Sequence, residues 1–377
     1  LIGNLRTITG YDAAETLWRA TVPPETVFDL WEVRAAFHRH FRRPIRFITG
    51  SAVDGSRLFL PLCRVEEKGC WSYFPGETWN GKTWLEQNRL FASGLEVSQL
   101  TELLGGDFHL RYLTDCRAGH GELTIDETGY LFHPPAFRFG IENWWQLFRR
   151  KSQKNLRREL AAFSGFRCRI DQTPEGPFQR LVELNISRFG SSSYFADARF
   201  LAGFYDMLKA LSKMGLLRMT SLSLGKNVVA VDAGSVYRGQ YTLLAGGTDA
   251  AFPGVAKLIN LLHLEWACTQ QLDEVDFLCG DFLWKPLFHL TPRPLYLLPA
   301  CTKKLLAAVF LQGAVTTGDN EELAMKVPIK NRLVVCCILT SLRSMRLSGW
   351  AGSPMKKGRL VNERAPCPVM GCHGALA

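Results

Sequence analysis

Apolar residues recur at helical spacing over Asn143–Phe163. There Trp144, Leu147, Phe148, Leu156, Leu160 and Phe163 fall approximately on one face, with basic residues around the rest. Similar patterns predict helices over Asp12–Arg19, Glu25–His40, Phe178–Phe189, Asp197–Met214 and Gly254–Gln270, with Pro23-Pro24 breaking the chain between the first two. Short apolar runs predict strands at Arg46–Thr49 and Arg57–Leu62, and Asp54-Gly55 between them is a hairpin signal. Further strands are expected at Arg167–Ile170, Leu217–Leu224, Val228–Tyr237, Gln240–Gly246 and Val275–Cys279.

From Ile141 onward the expected order is α, β, α, α, β, β, β, loop, α, β. Hairpins combined with a crossover helix imply an α/β fold with a mixed sheet (α+β), not a doubly wound parallel one. The first part repeats a coarse helix-helix-hairpin grammar, which suggests a structural duplication. The expected divisions are a first half at 1–140, a second at 141–299 and a basic tail at 300–377.

Composition changes this picture little. At 377 residues the chain is long enough for two domains, and 47% hydrophobic with 21% charged residues is ordinary for a globular protein. The net charge of +10 would point to a polyanionic partner if it were spread evenly. Nine Lys or Arg and one acid from Leu323 to Ala377 put +8 of it in the tail, so the body is near neutral. The C-terminal end has no periodicity and is expected to be disordered. Lys330–Trp350 could form a cationic amphipathic helix that touches a membrane surface or an acidic partner. The apolar runs Leu305–Phe310 and Leu333–Leu339 are shorter than the ~20 residues that span a bilayer, and the N-terminus has no secretory apolar region. Eleven scattered cysteines read as reduced thiols of a cytoplasmic protein. Cys367 and Cys372-His373 form half a zinc site at most, so no metal is expected. The chain starts at Leu1 instead of Met, which fits a fragment or an unusual start codon.

Three segments carry candidate chemistry. Val275–Lys285 reads as a short buried strand that ends in Gly280, with Asp281 next and Lys285 four residues later. Charges just past a core strand cost burial energy unless they are paired or used. Asp281 could take a proton from an attacking amine or hydroxyl, and Lys285 could stabilise an oxyanion or a phosphate; a structural salt bridge between them is the other reading. In Thr248–Lys257, a loop follows a strand and Gly254 opens a helix, which offers unpaired N–H groups to an anion. Arg149–Arg158 holds six cations and no acid, and reads either as a solvated helical face or as a contact for a phosphate-rich donor or an RNA acceptor stem.

Four pieces in order carry a family resemblance: Lys154-Asn155-Leu156-Arg157-Arg158-Glu159-Leu160; Ser187-Arg188-Phe189-Gly190; the strand-loop-helix with Tyr241, Asp249 and Pro253-Gly254; and Asp276-Phe277-Leu278-Cys279-Gly280-Asp281 with Lys285. Over about residues 145–290 the chain resembles the acetyltransferase-like proteins associated with cellulose biosynthesis. These belong to the GNAT superfamily and are related to the Fem-type peptidyltransferases. The resemblance implies two tandem GNAT-like domains. It also implies transfer of an acyl group to an amine or hydroxyl of a cell-envelope or exopolysaccharide precursor, with acetyl-CoA or another acyl-CoA as co-substrate and no metal. It places the donor at Gly254, Val255 and Lys257. It makes Asp281 and Lys285 catalytic, and sets Arg157, Arg188, Tyr241 and Trp284 against substrate. The full Arg/Gln-x-x-Gly-x-Gly/Ala signature is absent, and Lys257 falls within the helix start where a further small residue is usual. Two alternatives follow from the same resemblance: a Fem-type transferase that uses aminoacyl-tRNA, and a non-catalytic transferase fold that serves as a scaffold in polysaccharide assembly.

Overall fold

The computed structural model describes residues 2–52, 55, 57–76, 85–92, 97–104, 107–115, 124–280 and 284–300. The tail at 300–377, apart from Ala300, lies outside the described residues, as do Asp54 of the hairpin turn and Asp281.

The first half runs β1 (Ile2–Ile8), α1 (Tyr11–Thr21), α2 (Trp31–Phe41), β2 (Ile45–Ala52), β3 (Arg57–Val65), β4 (Cys70–Tyr73), two short strands β5 (Asn88–Arg89) and β6 (Phe91–Ala92), α3 (Val97–Leu104), β7 (Phe108–Asp115) and β8 (Thr124–Phe132). Two helices, α4 (Ile141–Trp145) and α5 (Arg150–Ala161), follow. The second half then runs β9 (Arg167–Asp171), α6 (Pro177–Phe189), α7 (Ala198–Lys213), β10 (Leu217–Leu224), β11 (Asn227–Tyr237), β12 (Gln240–Thr248), α8 (Val255–Thr269), β13 (Glu274–Cys279), α9 (Trp284–Leu287) and β14 (Thr291–Ala300). Without β5, β6 and the short α9, both halves follow one order: strand, two helices, three strands, helix, strand and a last strand. The expected duplication is therefore present, and it extends to β1 and β14, which the apolar pattern did not announce.

All fourteen strands join one mixed sheet, in the order β1-β2-β3-β4-β7-β14-β8-β13-β12-β11-β10-β9, with β5 on β7 and β6 on β3. The order is symmetric about its centre. Each half supplies four strands and a fifth that lies parallel to the fourth: β4 with β7, and β12 with β13. The last strands are exchanged. β14 of the second half pairs with β7 of the first, β8 of the first pairs with β13 of the second, and β14 and β8 pair with each other. β14 carries Pro292, Pro294 and Pro299, residues that normally exclude a central strand. It pairs with β8 over Thr291–Leu297 and with β7 only from Tyr296, so Pro292 and Pro294 stand where its β7 side is unpaired.

The sequence pattern predicted one helix over Asn143–Phe163, and the structure divides it. Trp144 and Trp145 are buried, the Trp144 indole donates to the Phe288 carbonyl at 2.8 Å, and Arg149 is extended before α5 begins. Tethering the two indoles to the core forces the break, and α5 then lies along the surface with no fully buried residue. A second core feature joins the halves. Val33, Ala36 and Phe37 of α2 pack with Phe200, Phe204 and Met207 of α7 in a single apolar cluster. Gly203 permits the approach, because a Cβ there would stand 3.0 Å from the Phe37 ring.

Tyr241, expected against substrate, is wholly buried at the start of β12, between His263 and Trp266. Its ring occupies the space over Gly234, where a Cβ would lie 2.2 Å from the ring edge. Gly234→Ala should therefore destabilise the fold by about 3 kcal/mol through overpacking, and Tyr241→Leu in the same chain should recover part of the loss. Denaturant midpoints of the single and double variants measure both effects.

Candidate functional site

β12 and β13 run parallel for only three residue pairs: Gln240–Glu274, Tyr241–Val275 and Thr242–Asp276. Beyond them each strand carries an irregularity. β12 has an extra residue, Leu244, between Leu243 opposite Gly234 and Ala245 opposite Ala233. β13 slips register against β8 between Asp276 and Cys279; Leu278 takes a left-handed conformation (φ 55°) and its N–H donates to Asp276 Oδ1 at 2.8 Å. Bulges bend strands and end pairing, so the two strands part and leave a wedge.

On the α8 side of the wedge lies a cavity of about 20 Å³, room for roughly one water-sized group. Asp232, Leu243, Gly246, Thr248, Ile259, Asn260 and Trp284 line it, together with Ala256. Asp232 Oδ2 meets His263 Nε2 at 2.9 Å in full burial, while His263 Nδ1 and Trp284 Nε1 have no hydrogen-bond partner among the described residues. The end of β12 is fixed from the opposite face. Asn185 of α6 donates to the Gly246 carbonyl at 3.0 Å, Ser193 donates to Asn185 at 2.7 Å, and Arg188 reaches the Thr248 hydroxyl at 3.4 Å.

α8 starts at Gly254 (φ 91°) without a side-chain cap. The Glu159 carboxylate of α5 occupies that end: Oε1 lies 2.8 Å from where a Gly254 Cβ would stand, and Lys257 Nζ holds both oxygens at 2.7 and 2.9 Å. A carboxylate at a helix N-terminus takes the electrostatic place that a phosphate would take.

Of the expected residues, Trp284 lines the cavity, Gly254, the buried Val255 and Lys257 stand at the start of α8 beside the lining residue Ala256, and Arg188 reaches the lining residue Thr248. Two others make their contacts elsewhere. Arg157 is exposed, paired with Glu142 at 2.8 Å and stacked over Trp145, and Tyr241 belongs to the core. Lys285 is fully buried, and its ammonium donates to the carbonyls of Phe277, Leu278 and Cys279, each at 3.0 Å. These three bonds match the three protons of an ammonium, so Lys285 holds the bulged end of β13 in shape.

A second polar cluster surrounds that same end. Glu86 Oε1 accepts from the Cys279 N–H at 2.7 Å, and Gln87 donates to Asp276 Oδ2. Arg293 of β14 lies 2.9 Å from Asp276 Oδ2 and 3.9 Å from Glu86 Oε2, which has no hydrogen-bond partner among the described residues. Burial and the neighbouring Asp276 charge push Glu86 up to about 7, and the same two causes push Glu274 up to about 7. Burial raises the Cys279 thiol well above its usual range, with Glu86 adding to the effect, so this cysteine is not a thiolate. Sequence reasoning missed Glu86, Asp232 and His263. The only local signal for Glu86 is the polar run Glu86-Gln87-Asn88-Arg89 between Leu85 and Leu90.

Among the described residues, no group of three His, Cys, Asp or Glu stands together to hold a metal ion, and no helix is long and apolar enough to cross a membrane. Residues 148–286 match the family model described as the acetyltransferase (GNAT) domain. No curated protein matches the sequence. Among solved structures, the chain is similar to L-PGS from Bacillus licheniformis (12% identity, 77% of this chain and 91% of that chain, TM-score 0.48) and to FemX (10%, 80% and 99%, TM-score 0.48). It is also similar to a tandem GNAT protein from the clavulanic acid biosynthesis pathway (11%, 78% and 98%, TM-score 0.38). The fold is of the GNAT transferase type, present in two halves.

Lys285→Met should cost about 3 kcal/mol or more, because it strips donors from three carbonyls in a buried environment. Chemical denaturation measures it. Glu86 and Glu274 also set a pH dependence. Both carboxyls hold a proton more tightly in the folded chain than at their ordinary 4.5, so their contribution to stability is complete below about 4.5 and is lost as pH rises through about 7. Glu274→Gln should flatten part of that decline in a pH series of unfolding midpoints.

Proposed function

We propose that the chain is an acyltransferase whose donor, acetyl-CoA or another acyl-CoA, enters the β12–β13 wedge. The observation that carries this reading is the early parting of the two parallel strands above a small cavity at the start of α8. The cavity has room for a group the size of a methyl, which favours a short acyl group over a long chain. The bulge at Leu244 frees backbone polar groups beside it, which suit a thioester oxygen as it gains charge. The donor pyrophosphate would lie at Gly254, Val255 and Lys257, exchanging places with the Glu159 carboxylate, and Arg188 would take a further anionic group. Trp284 would flank the acyl group. The nucleophile of the acceptor attacks the thioester carbon and the sulfur leaves. The motif resemblance gives the proton to Asp281 and assigns Lys285 a catalytic part. The hydrogen bonds of Lys285 favour a positioning part, and the pairing of Arg157 and the core burial of Tyr241 favour structural parts for both. The acceptor, an amine or hydroxyl of a cell-envelope or exopolysaccharide precursor, and a cytoplasmic setting rest on the same resemblance.

A second donor has its own observation. Arg149, Arg150, Lys151, Lys154 and Arg158 are exposed and make no ion pair with the described residues. Such a face suits a polyanion, and an aminoacyl-tRNA would satisfy it; binding should then weaken steeply with salt.

Calorimetric titration with acetyl-CoA tests the first reading. Glu159→Gln removes the carboxylate that competes for the helix start, and should tighten binding by roughly 5-fold or more while costing little stability, because the Glu159–Lys257 pair is half-exposed. No heat from a folded chain, or weaker binding by E159Q, counts against a donor at this helix. Binding of tRNA that falls steeply between low and moderate salt would favour the second reading.

A further inference from the structure

The two halves share one element order but treat their wedges differently. In the first half, β4 meets β7 at Trp71–Phe108 and Ser72–His109. Farther along the same edge of β7, β5 takes over at Asn88–Leu113 and Arg89–Asp115. β6 meanwhile continues along β3 at Leu58–Ala92 and Phe59–Phe91, beyond the end of β4. The first wedge is therefore plugged by the chain's own segment between β4 and α3. The plug is firmly held. Buried Arg34 donates to the Phe74 carbonyl at 2.7 Å, Asn88 donates to the Arg111 carbonyl at 2.7 Å, and Arg89 pairs with Asp29 at 2.9 Å.

The same plug carries Glu86 and Gln87 to the bulge of β13 in the second half. Leu278 and Leu244 pack with α6 and α7, whereas Leu243 and Phe277 pack with α8. Leu85 packs with the α6–α7 cluster, so Glu86 reaches β13 from the face opposite the cavity. Glu86 is 2% exposed, and its Oε2 has no hydrogen-bond partner among the described residues. Cys279, Gly280 and Tyr194 beside it are only half-buried. Among the described residues, the titratable and charged groups around it are Asp276 and Cys279 of β13, Arg293 of β14, Tyr112 of β7 and Tyr194 before α7, with Glu127 of β8 and Lys285 of α9 acting on the adjoining Cys279.

We propose that the first half has given up a donor site of its own and supplies Glu86 as the proton acceptor for the nucleophile that attacks in the second half. This rests on the acyl-transfer reading and replaces Asp281 in that role. With an amine acceptor, the C–N bond forms and the C–S bond breaks. The sulfur leaves with the bonding electron pair, and the amine proton passes to Glu86 Oε2 and then to solvent. Arg293 and the Cys279 N–H hold the carboxylate once it has lost the proton again. A carboxyl that burial has moved close to neutrality is suited to this exchange.

The full chain tests this in two ways. In an infrared titration of the Glu274→Gln chain, which removes the other carboxyl raised to about 7, a protonated-carboxyl band should fade near pH 7, and adding Glu86→Gln should remove it while adding Asp281→Asn leaves it. A band that fades in the ordinary carboxylate range, or one that E86Q leaves in place, overturns the proposal whether or not turnover is seen. In the second assay, thiol release from acetyl-CoA is followed with ethanolamine as acceptor. E86Q should lower the rate about 100-fold at pH 7 without changing the KM for acetyl-CoA, and Asp281→Asn should lower it far less. Hydroxylamine, which is largely unprotonated at that pH and needs no base, should restore E86Q to near the wild-type rate. An equal loss with both acceptors means that Glu86 only holds β13 in place, and overturns the proposal. A wild-type chain that releases no thiol with either acceptor, although the neutral band is present, sinks the acyl-transfer reading and the role of Glu86 in it.

Discussion

The parallel pair β12–β13 governs the molecule. Parallel neighbours need a crossover between them, and α8 supplies it, so the helix must begin just beyond the end of β12 and return over the sheet. The two bulges then part the strands after Thr242 and Asp276. Cavity, helix start and bulge are consequences of one geometric choice. The buried contacts exist to maintain it: Lys285 holds three carbonyls of the distorted strand end, and Asn185 holds the Gly246 carbonyl on the other side.

Exchange of the last strands turns two similar halves into one object. β14 and β8 each complete the other half's sheet, and their mutual pairing forms the seam. Arg293 of β14 therefore stands beside Asp276 of β13, and residues of the first half stand at the bulge of the second. Three acids, Glu86, Glu274 and Asp276, gather near one guanidinium in a buried seam. Burial penalises the charges of Glu86 and Glu274, so these two carboxyls keep protons that exposed ones would release.

Symmetry between the halves is broken by a short insertion. Between β4 and α3 the first half holds β5 and β6, whereas between β12 and α8 the second half holds only a loop. The insertion fills one wedge and leaves the other with its cavity. A single segment thereby decides which half keeps an open wedge.

Most of the second half was legible in the sequence because its elements are local. The helical period over Phe178–Phe189 and Asp197–Met214, the alternation of the three-strand meander and the glycine before α8 all depend on residues near in the chain. The order of these elements was enough to expect a mixed sheet, and the motif order put forward Gly254, Lys257, Arg188 and Trp284 as site residues. The long helix over Asn143–Phe163 was not divisible by periodicity, because its break comes from the Trp144 indole finding a carbonyl 144 residues away. β14 was hidden by prolines that only a staggered pairing excuses. Tyr241 and Lys285 looked functional because the sequence shows type and spacing but not burial; packing placed one in the core and gave the other three backbone acceptors. Glu86 lies 193 residues from the strand end it bonds. The sequence by itself determined which elements form and in what order. The tertiary structure decided which wedge stays open and which acid stands beside it, because both depend on contacts between segments too distant for any local pattern to record.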